Sequence, residues 1–200
     1  MAIIGAAAFI FAASLAAGVA LRRADQAPVA AIDQAAIAYS LIDQNEQVVN
    51  QATYRGRWML VFFGFTHCPD ICPMSMTYAA DFLKSLGPDG KKLQVVFVTV
   101  DPERDTPAAL KDYLTNFDPR IVGLTGTPAR IAAAAKAFNV FYSKRALEDP
   151  NDYTMDHSTA FYLVDPAGKL QRAFALQRGA EEMSADLREA MSLPPQKAAP

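Results

Sequence analysis

The apolar and polar positions divide the chain into three stretches. Met1 to Leu21 carries no charged side chain, and only Gly5, Ser14 and Gly18 fall outside the apolar set. At 1.5 Å per residue, a helix of that length is roughly 30 Å long, about one bilayer core. Arg22 and Arg23 end the run, and residues 22–37 are small and polar, as in a tether. From residue 38 to residue 192 apolar runs alternate with polar punctuation, the signature of a folded domain. The tail 193–200, LPPQKAAP, is proline-rich and is expected to be disordered.

Within the domain the pattern predicts strands and helices in turn. Tyr39–Asp43 and Gln47–Val49 read as short strands around the polar turn Gln44-Asn45-Glu46. The near-continuous apolar run Arg57–Phe65 predicts a central buried strand, and Leu93–Val100 a second. A helix is expected from Pro73 to about Leu86, ended by Gly87-Pro88. Thr106-Pro107 and Thr127-Pro128 each pair an N-cap hydroxyl with a proline at the first helical position. The second of these helices, Pro128 to Phe138, is rich in alanine. Ala160–Val164, the turn Asp165-Pro166-Ala167-Gly168 and Lys169–Ala175 form a hairpin. Glu181–Met191 is a final helix. Helices alternating with buried strands predict an α/β fold.

Composition narrows the function. Two hundred residues are enough for one domain with appendages. An apolar share of 52% with 20% charged residues excludes wholesale disorder. The 19 basic and 21 acidic side chains nearly cancel, so nucleic acid is not an expected partner. Two cysteines cannot build a disulfide scaffold, and two histidines leave no room for a His-rich metal site. Residues 1–21 read as a membrane anchor. A cleaved signal ending near Gly18-Val19-Ala20 is the alternative, for which the apolar stretch is long.

The candidate chemistry lies in Phe65-Thr66-His67-Cys68-Pro69-Asp70-Ile71-Cys72-Pro73, which follows the first buried strand and opens a helix. Ligands of open α/β sheets collect at the carboxyl ends of strands. Each proline disfavours helical geometry in the residue before it, so both cysteines are expected in a loop with Pro73 first in the helix. Free N–H groups and the helix dipole there favour thiolate, the form that binds metal or attacks disulfides. Asp70 partly opposes this. With later hairpin and helices, the strand–Cys-x-x-x-Cys–helix element points to a thioredoxin-like sheet.

Two thiolates are soft ligands that select Cu(I) or Zn, and they also serve thiol–disulfide exchange. A third ligand decides between these. His67 points to the opposite face from Cys68 in extended chain and reads as structural. Met74 and Met76 cannot both face the site; Met as core filler is the default for each, with Met74 the weak ligand candidate. His157, in Met155-Asp156-His157-Ser158-Thr159, is the better candidate. It directly precedes a predicted strand, where thioredoxins place a cis-proline. Two thiolates and one imidazole suit three-coordinate Cu(I) and accept a further ligand with Cu(II). Asp101-Pro102-Glu103-Arg104-Asp105-Thr106-Pro107 ends the second buried strand at the same sheet edge. Asp105 and Thr106 read as helix-start residues. Asp101 and Arg104 either flank the site or dock a partner.

At these residues the chain resembles the SCO/SenC family of copper chaperones for cytochrome c oxidase. LVFFGFTHCPDICP, VFVTVDPERDTP, FDPRIVGLTGTP, AKAFNVFYSK and DYTMDHSTAFYLVDPAG carry the resemblance, over about residues 39–176. It implies a thioredoxin-like fold tethered by one N-terminal membrane helix, and a protein that binds Cu(I) and Cu(II). It implies Cys68, Cys72 and His157 as the metal ligands. Read from the residues themselves, a disulfide between the two cysteines would be a redox state of the site, and Asp70, Asp101, Arg104 and Asp156 are expected near the site or docking a partner. The implied partners are subunit II of cytochrome c oxidase, with its dinuclear copper site, and another copper carrier or a thiol reductant. The function is then metal transfer rather than enzymatic turnover. The expected location is a bacterial inner membrane with the domain in the periplasm. Arg22 and Arg23, after the apolar segment, conflict with that orientation under the positive-inside rule; a basic segment upstream would reconcile them. The competing classes are a thiol–disulfide oxidoreductase and a copper or redox sensor.

Overall fold

The structure is a computed structural model that describes residues 37–149, 152–175 and 180–192. The expected apolar segment 1–21 and tail 193–200 lie outside the described residues. So does the expected tether, except Ile37, which is buried and donates its N–H to Gly168 O at 3.0 Å. Among the described residues no helix is long and apolar enough to cross a membrane.

The strands are β1 (Ser40–Asp43), β2 (Val48–Asn50), β3 (Trp58–Gly64), β4 (Leu93–Thr99), β5 (Val122–Thr125), β6 (Tyr142–Ala146), β7 (Tyr153–His157), β8 (Ala160–Val164) and β9 (Leu170–Ala175). The helices are α1 (Ile71–Ser85), α2 (Pro107–Leu114), α3 (Pro128–Ala137) and α4 (Ala180–Ala190), with a 3-10 turn over Gly87–Lys92. Seven strands form one sheet in the order β2-β1-β5-β4-β3-β8-β9. β3, β4 and β5 run parallel, while β1 and β8 flank them antiparallel. β6 and β7 form a separate two-stranded sheet.

The two longest apolar runs became the centre of the sheet. β4 is buried at all seven positions and β3 at all but Trp58. Alternation then sorts the side chains. Phe62 pairs with Phe97 and faces α1 and α2; Val61 and Phe63 face Ala134 of α3 and Phe138. The Thr-Pro signals give real caps. Thr106 Oγ1 accepts from Ala109 N at 3.2 Å, and Thr127 Oγ1 from Arg130 N at 3.3 Å.

Three elements depart from the sequence reading. β5 is a four-residue strand, VGLT, too short and too glycine-broken to announce itself. Its Gly123 is needed for close approach, since a Cβ there would lie 2.8 Å from Leu114 Cδ1 of α2. The β6–β7 hairpin was also unannounced. Lys144, Arg145 and Ala146 are exposed, so no apolar alternation marks the strand. His157 accordingly ends β7, paired with Tyr142, rather than lying in a loop.

Replacing Thr127 with alanine removes the α3 cap and is expected to cost about 1 kcal/mol. Urea unfolding should show a lower midpoint at unchanged slope. An unshifted midpoint would mean that the cap contributes nothing.

Candidate metal centre

The parallel pairing of β3 with β4 brings two loops to one edge of the sheet. Val100 N donates to Gly64 O at 2.8 Å, tying the strand ends together. From β3 the chain turns through Thr66–Asp70 into α1. From β4 it turns through Asp101–Asp105 into α2.

α1 begins at Ile71, with Asp70 at its N-cap. Cys72 therefore lies in the first helical turn, not in the loop, and only Cys68 precedes the helix. The first four helical N–H groups have no intrahelical acceptor, so Pro73, third in the helix, removes no helical hydrogen bond and the helix begins two residues before it. Cys72 is buried and Cys68 half-buried, and no disulfide joins them. Cys72 N donates to Cys68 Sγ at 3.4 Å. Asp70 is exposed and makes no side-chain cap bond.

Gly64 makes room for the second sulfur. A Cβ at Gly64 would stand 2.8 Å from Cys72 Sγ and 2.9 Å from a Phe97 ring carbon. His157 arrives from the separate hairpin, with Nε2 3.6 Å from Cys72 Sγ. Its Nδ1 lies 2.9 Å from Ser158 O. A carbonyl only accepts, so in the neutral ring Nδ1 carries the hydrogen and the Nε2 lone pair faces the sulfurs. Edge contacts with Phe62 and Phe65, at ring separations of 6.1 and 5.8 Å, hold the ring plane. The ligating atoms of Cys68, Cys72 and His157 all lie within 4.8 Å of one another. Two sulfurs and an outward-facing imidazole lone pair form a soft, low-coordinate donor set.

The thiols divide rather than both becoming thiolates. The Cys72 S–H, hydrogen-bonding to Cys68, pulls the Cys68 pKa well below the ordinary thiol range. Burial opposes this; the His157 ring and the N–H groups of Asp70 and Cys72 assist it. Cys72 is pushed up by the same hydrogen bond, and then by burial and the neighbouring Cys68 charge. The expected drop thus holds for Cys68 alone.

Asp105 is the residue that sequence reasoning misplaced. It is buried, not a helix-start residue; Thr106 alone caps α2. Its carboxylate accepts from Thr66 N at 3.0 Å, Thr66 Oγ1 at 2.6 Å and Thr99 Oγ1 at 2.6 Å, bolting the cysteine loop to β4. Burial raises its pKa despite these bonds. An acid just past a buried strand was visible in the sequence; its inward direction was not. His67 turns to this group. Its Nδ1 lies 3.1 Å from Thr66 Oγ1 and 3.9 Å from Asp105 Oδ1, and its side chain is exposed. Met76 is fully buried in the core, and Met74 is half-buried.

Asp101 and Arg104 clamp the hairpin that carries His157. The Arg104 guanidinium pairs with the Asp101 carboxylate and donates from Nη1 to Tyr153 O at 3.0 Å. Tyr153 Oη donates to Asp101 Oδ1 at 2.9 Å, and its ring lies between Arg104 and Lys144, 3.7 and 3.8 Å from the centroid. Asp156 faces Arg145 across the hairpin at 3.1 Å, both exposed.

A thioredoxin-like sheet with a Cys-x-x-x-Cys pair and a hairpin histidine at its carboxyl edge defines a thiol- or metal-handling domain. The chain belongs to the SCO1/SenC family, whose model matches residues 29–192. It is 40% identical over 167 residues to the mitochondrial SCO2 homolog of Bos taurus, covering 81% of this chain and 63% of that protein. The chain thus spans less than two thirds of that relative's length. It is 40% identical over 151 residues to an SCO2-like protein of Rickettsia conorii, covering 75% and 74% of the two chains. Among solved structures it resembles Bradyrhizobium japonicum ScoI with copper bound, at 42% identity and a TM-score of 0.71, over 78% of this chain and 98% of that one.

Two outcomes follow. Cys68 alkylation by iodoacetamide should be nearly independent of pH between about 6 and 8, above its lowered pKa, while Cys72 stays protected. In Cys72→Ala the main cause of that lowering is gone, so the Cys68 rate should climb with pH across the same window. A flat profile in the variant would refute the hydrogen-bond explanation. Arg104→Ala leaves the buried Asp101 carboxylate without its cation, at a cost on the order of 3 kcal/mol. Hydrogen exchange should quicken first in β6 and β7; protection unchanged there would remove the clamp.

Proposed function

We propose that this chain is a copper carrier in cytochrome c oxidase assembly, holding copper through Cys68 Sγ, Cys72 Sγ and His157 Nε2. The observation that carries the reading is the convergence of those three atoms within 4.8 Å at an open sheet edge. The likeness to a copper-bound ScoI supports it. The donor set fits the metal. Thiolates favour Cu(I), and the imidazole with one open position accommodates Cu(II) as well.

The chemistry is ligand exchange rather than turnover. The apo chain offers Cys68 as a ready thiolate; copper binding displaces the Cys72 proton. A low-coordinate site leaves a position for an incoming thiolate, so copper passes on without ever being released to water. The acceptor in this reading is the dinuclear copper site of oxidase subunit II, and the donor is another copper carrier. Residues 1–21 anchor the chain in a bacterial inner membrane with the domain in the periplasm. That compartment is oxidising, so a thiol reductant must keep Cys68 and Cys72 open to metal. A second reading, thiol–disulfide exchange on oxidase cysteines, draws support from the division of the pair into one thiolate and one protonated partner.

Titration of the reduced chain with Cu(I) against a chromogenic chelator is expected to give one ion per chain. Cys72→Ser should abolish tight binding. His157→Ala should weaken it about a hundredfold or more, beyond the loss typical of a mere supporting group. Binding that survives His157→Ala unchanged would remove the third ligand. No copper binding, with disulfide exchange intact, would move the assignment to the oxidoreductase.

A further inference from the structure

At the end of the sheet opposite the metal ligands lies an open cleft of about 460 Å³, lined by Arg57, Gly87, Gly90, Lys91 and Arg120. Arg57 precedes β3 and Lys91 precedes β4, whereas the cysteine loop follows β3, so the strands put roughly 20 Å between the two places. No carboxylate lines the cleft, although the chain as a whole carries a net charge of −2. Arg120 is set in place. Its Nε and Nη2 donate to the Asp118 carboxylate at 2.8 and 2.6 Å, and its Nη1 to Leu83 O at 3.3 Å. Gly90 makes room for it, since a Cβ there would lie 2.8 Å from Nη1. Arg57 and Lys91 have no carboxylate partner among the described residues. Arg57 makes one side-chain hydrogen bond, from Nη2 to Leu93 O at 3.2 Å, and its Nε is shut off from solvent with no acceptor. Lys91 is exposed, and the acid nearest to it in sequence, Asp89, is taken by Lys92 at 2.7 Å. Two uncompensated cations thus stand beside a fixed guanidinium, in a cleft that two glycines leave empty.

We propose that this cleft binds the phosphate of an anionic phospholipid headgroup. Guanidinium forks match phosphate oxygens two at a time, and an ammonium adds a mobile point charge. The volume falls within the range of small-molecule sites, about 300–1,000 Å³, and admits a phosphodiester. The lipid source rests on the reading of residues 1–21 as a membrane anchor. Ile37, the first described residue, donates to Gly168 O in the β8–β9 turn at 3.0 Å. The same turn accepts from Gly56 N at Pro166 O, at 3.0 Å, and from Arg55 Nη1 at Ala167 O, at 3.1 Å. The chain therefore enters the domain beside the loop that carries Arg57. A headgroup held at this end turns the metal edge away from the bilayer, toward an incoming partner.

The test places the full chain in nanodiscs of phosphatidylcholine, with and without phosphatidylglycerol, and reads amide hydrogen exchange. Phosphatidylglycerol should slow exchange over residues 87–92, and added salt should reverse the slowing. In Lys91→Gln the phosphatidylglycerol fraction at half effect should rise about fivefold, the factor one cation contributes at an anionic surface. In Arg57→Gln/Lys91→Gln the response should vanish. Lys91→Gln removes an exposed ammonium that pairs with no carboxylate, so its thermal midpoint should match the wild type. Exchange over 87–92 that ignores phosphatidylglycerol, or a response that Lys91→Gln keeps in full, would overturn the proposal. Inorganic phosphate that slows exchange equally in pure phosphatidylcholine discs would overturn the lipid assignment in favour of a free anion. A chain that does not enter the discs would overturn the anchor reading, and the lipid assignment with it. The readout needs no copper, so it is independent of the copper titration above.

Discussion

Three hydrogen bonds to one buried carboxylate hold the site together. Asp105 receives Thr66 through both its N–H and its hydroxyl, and Thr99 through its hydroxyl. Thr66 begins the cysteine loop and Thr99 ends β4, so the two loops at the sheet edge cannot part without leaving a buried charge unpaired. Hydrogen bonds to charged groups contribute about 1.5–3 kcal/mol each, against the several kcal/mol that desolvation of a carboxylate costs. The arrangement is therefore not a large net source of stability. It selects one loop geometry, because every other geometry forfeits the bonds and keeps the cost. The same carboxylate adds negative charge near Cys72 and helps keep that thiol protonated.

The donor atoms stand on supports of different stiffness. Cys72 is fixed in a helix whose first turn abuts Gly64 at the end of β3, a strand buried everywhere but at Trp58. Cys68, two residues past Thr66, is half exposed and already a thiolate. His157 belongs to a hairpin outside the main sheet, held by an ion pair, a tyrosine hydroxyl and two ring edges rather than by strand pairing. On the copper-carrier proposal, a site that exchanges its metal gains from this gradation. In that reading the buried sulfur would supply affinity, the exposed one would meet the incoming ligand, and the histidine would yield while the core stays folded.

Much of this architecture was legible in the residues. Unbroken apolar runs mark β3 and β4, since strands covered on both faces show no alternation. Thr-Pro pairs mark the starts of α2 and α3, since hydroxyl and proline each suit their position there. Cysteines at the mouth of a helix, and a histidine before a late apolar strand, were visible as a candidate donor set. Tertiary structure decided the rest. The β6–β7 hairpin shows no pattern, because its outward strands bury little and are held by side chains from the β4–α2 loop. Asp105 and Asp101 look alike in sequence; burial and neighbours make one a bolt for the cysteine loop and the other a clamp for the hairpin. The cysteines also look equivalent, yet the hydrogen bond between them, with burial and neighbouring groups, sends their acidities in opposite directions. Residue type sets which chemistry is available; only the packed environment determines which copy of a residue carries it, because charge, burial and hydrogen bonding are properties of neighbours that lie far apart in the chain.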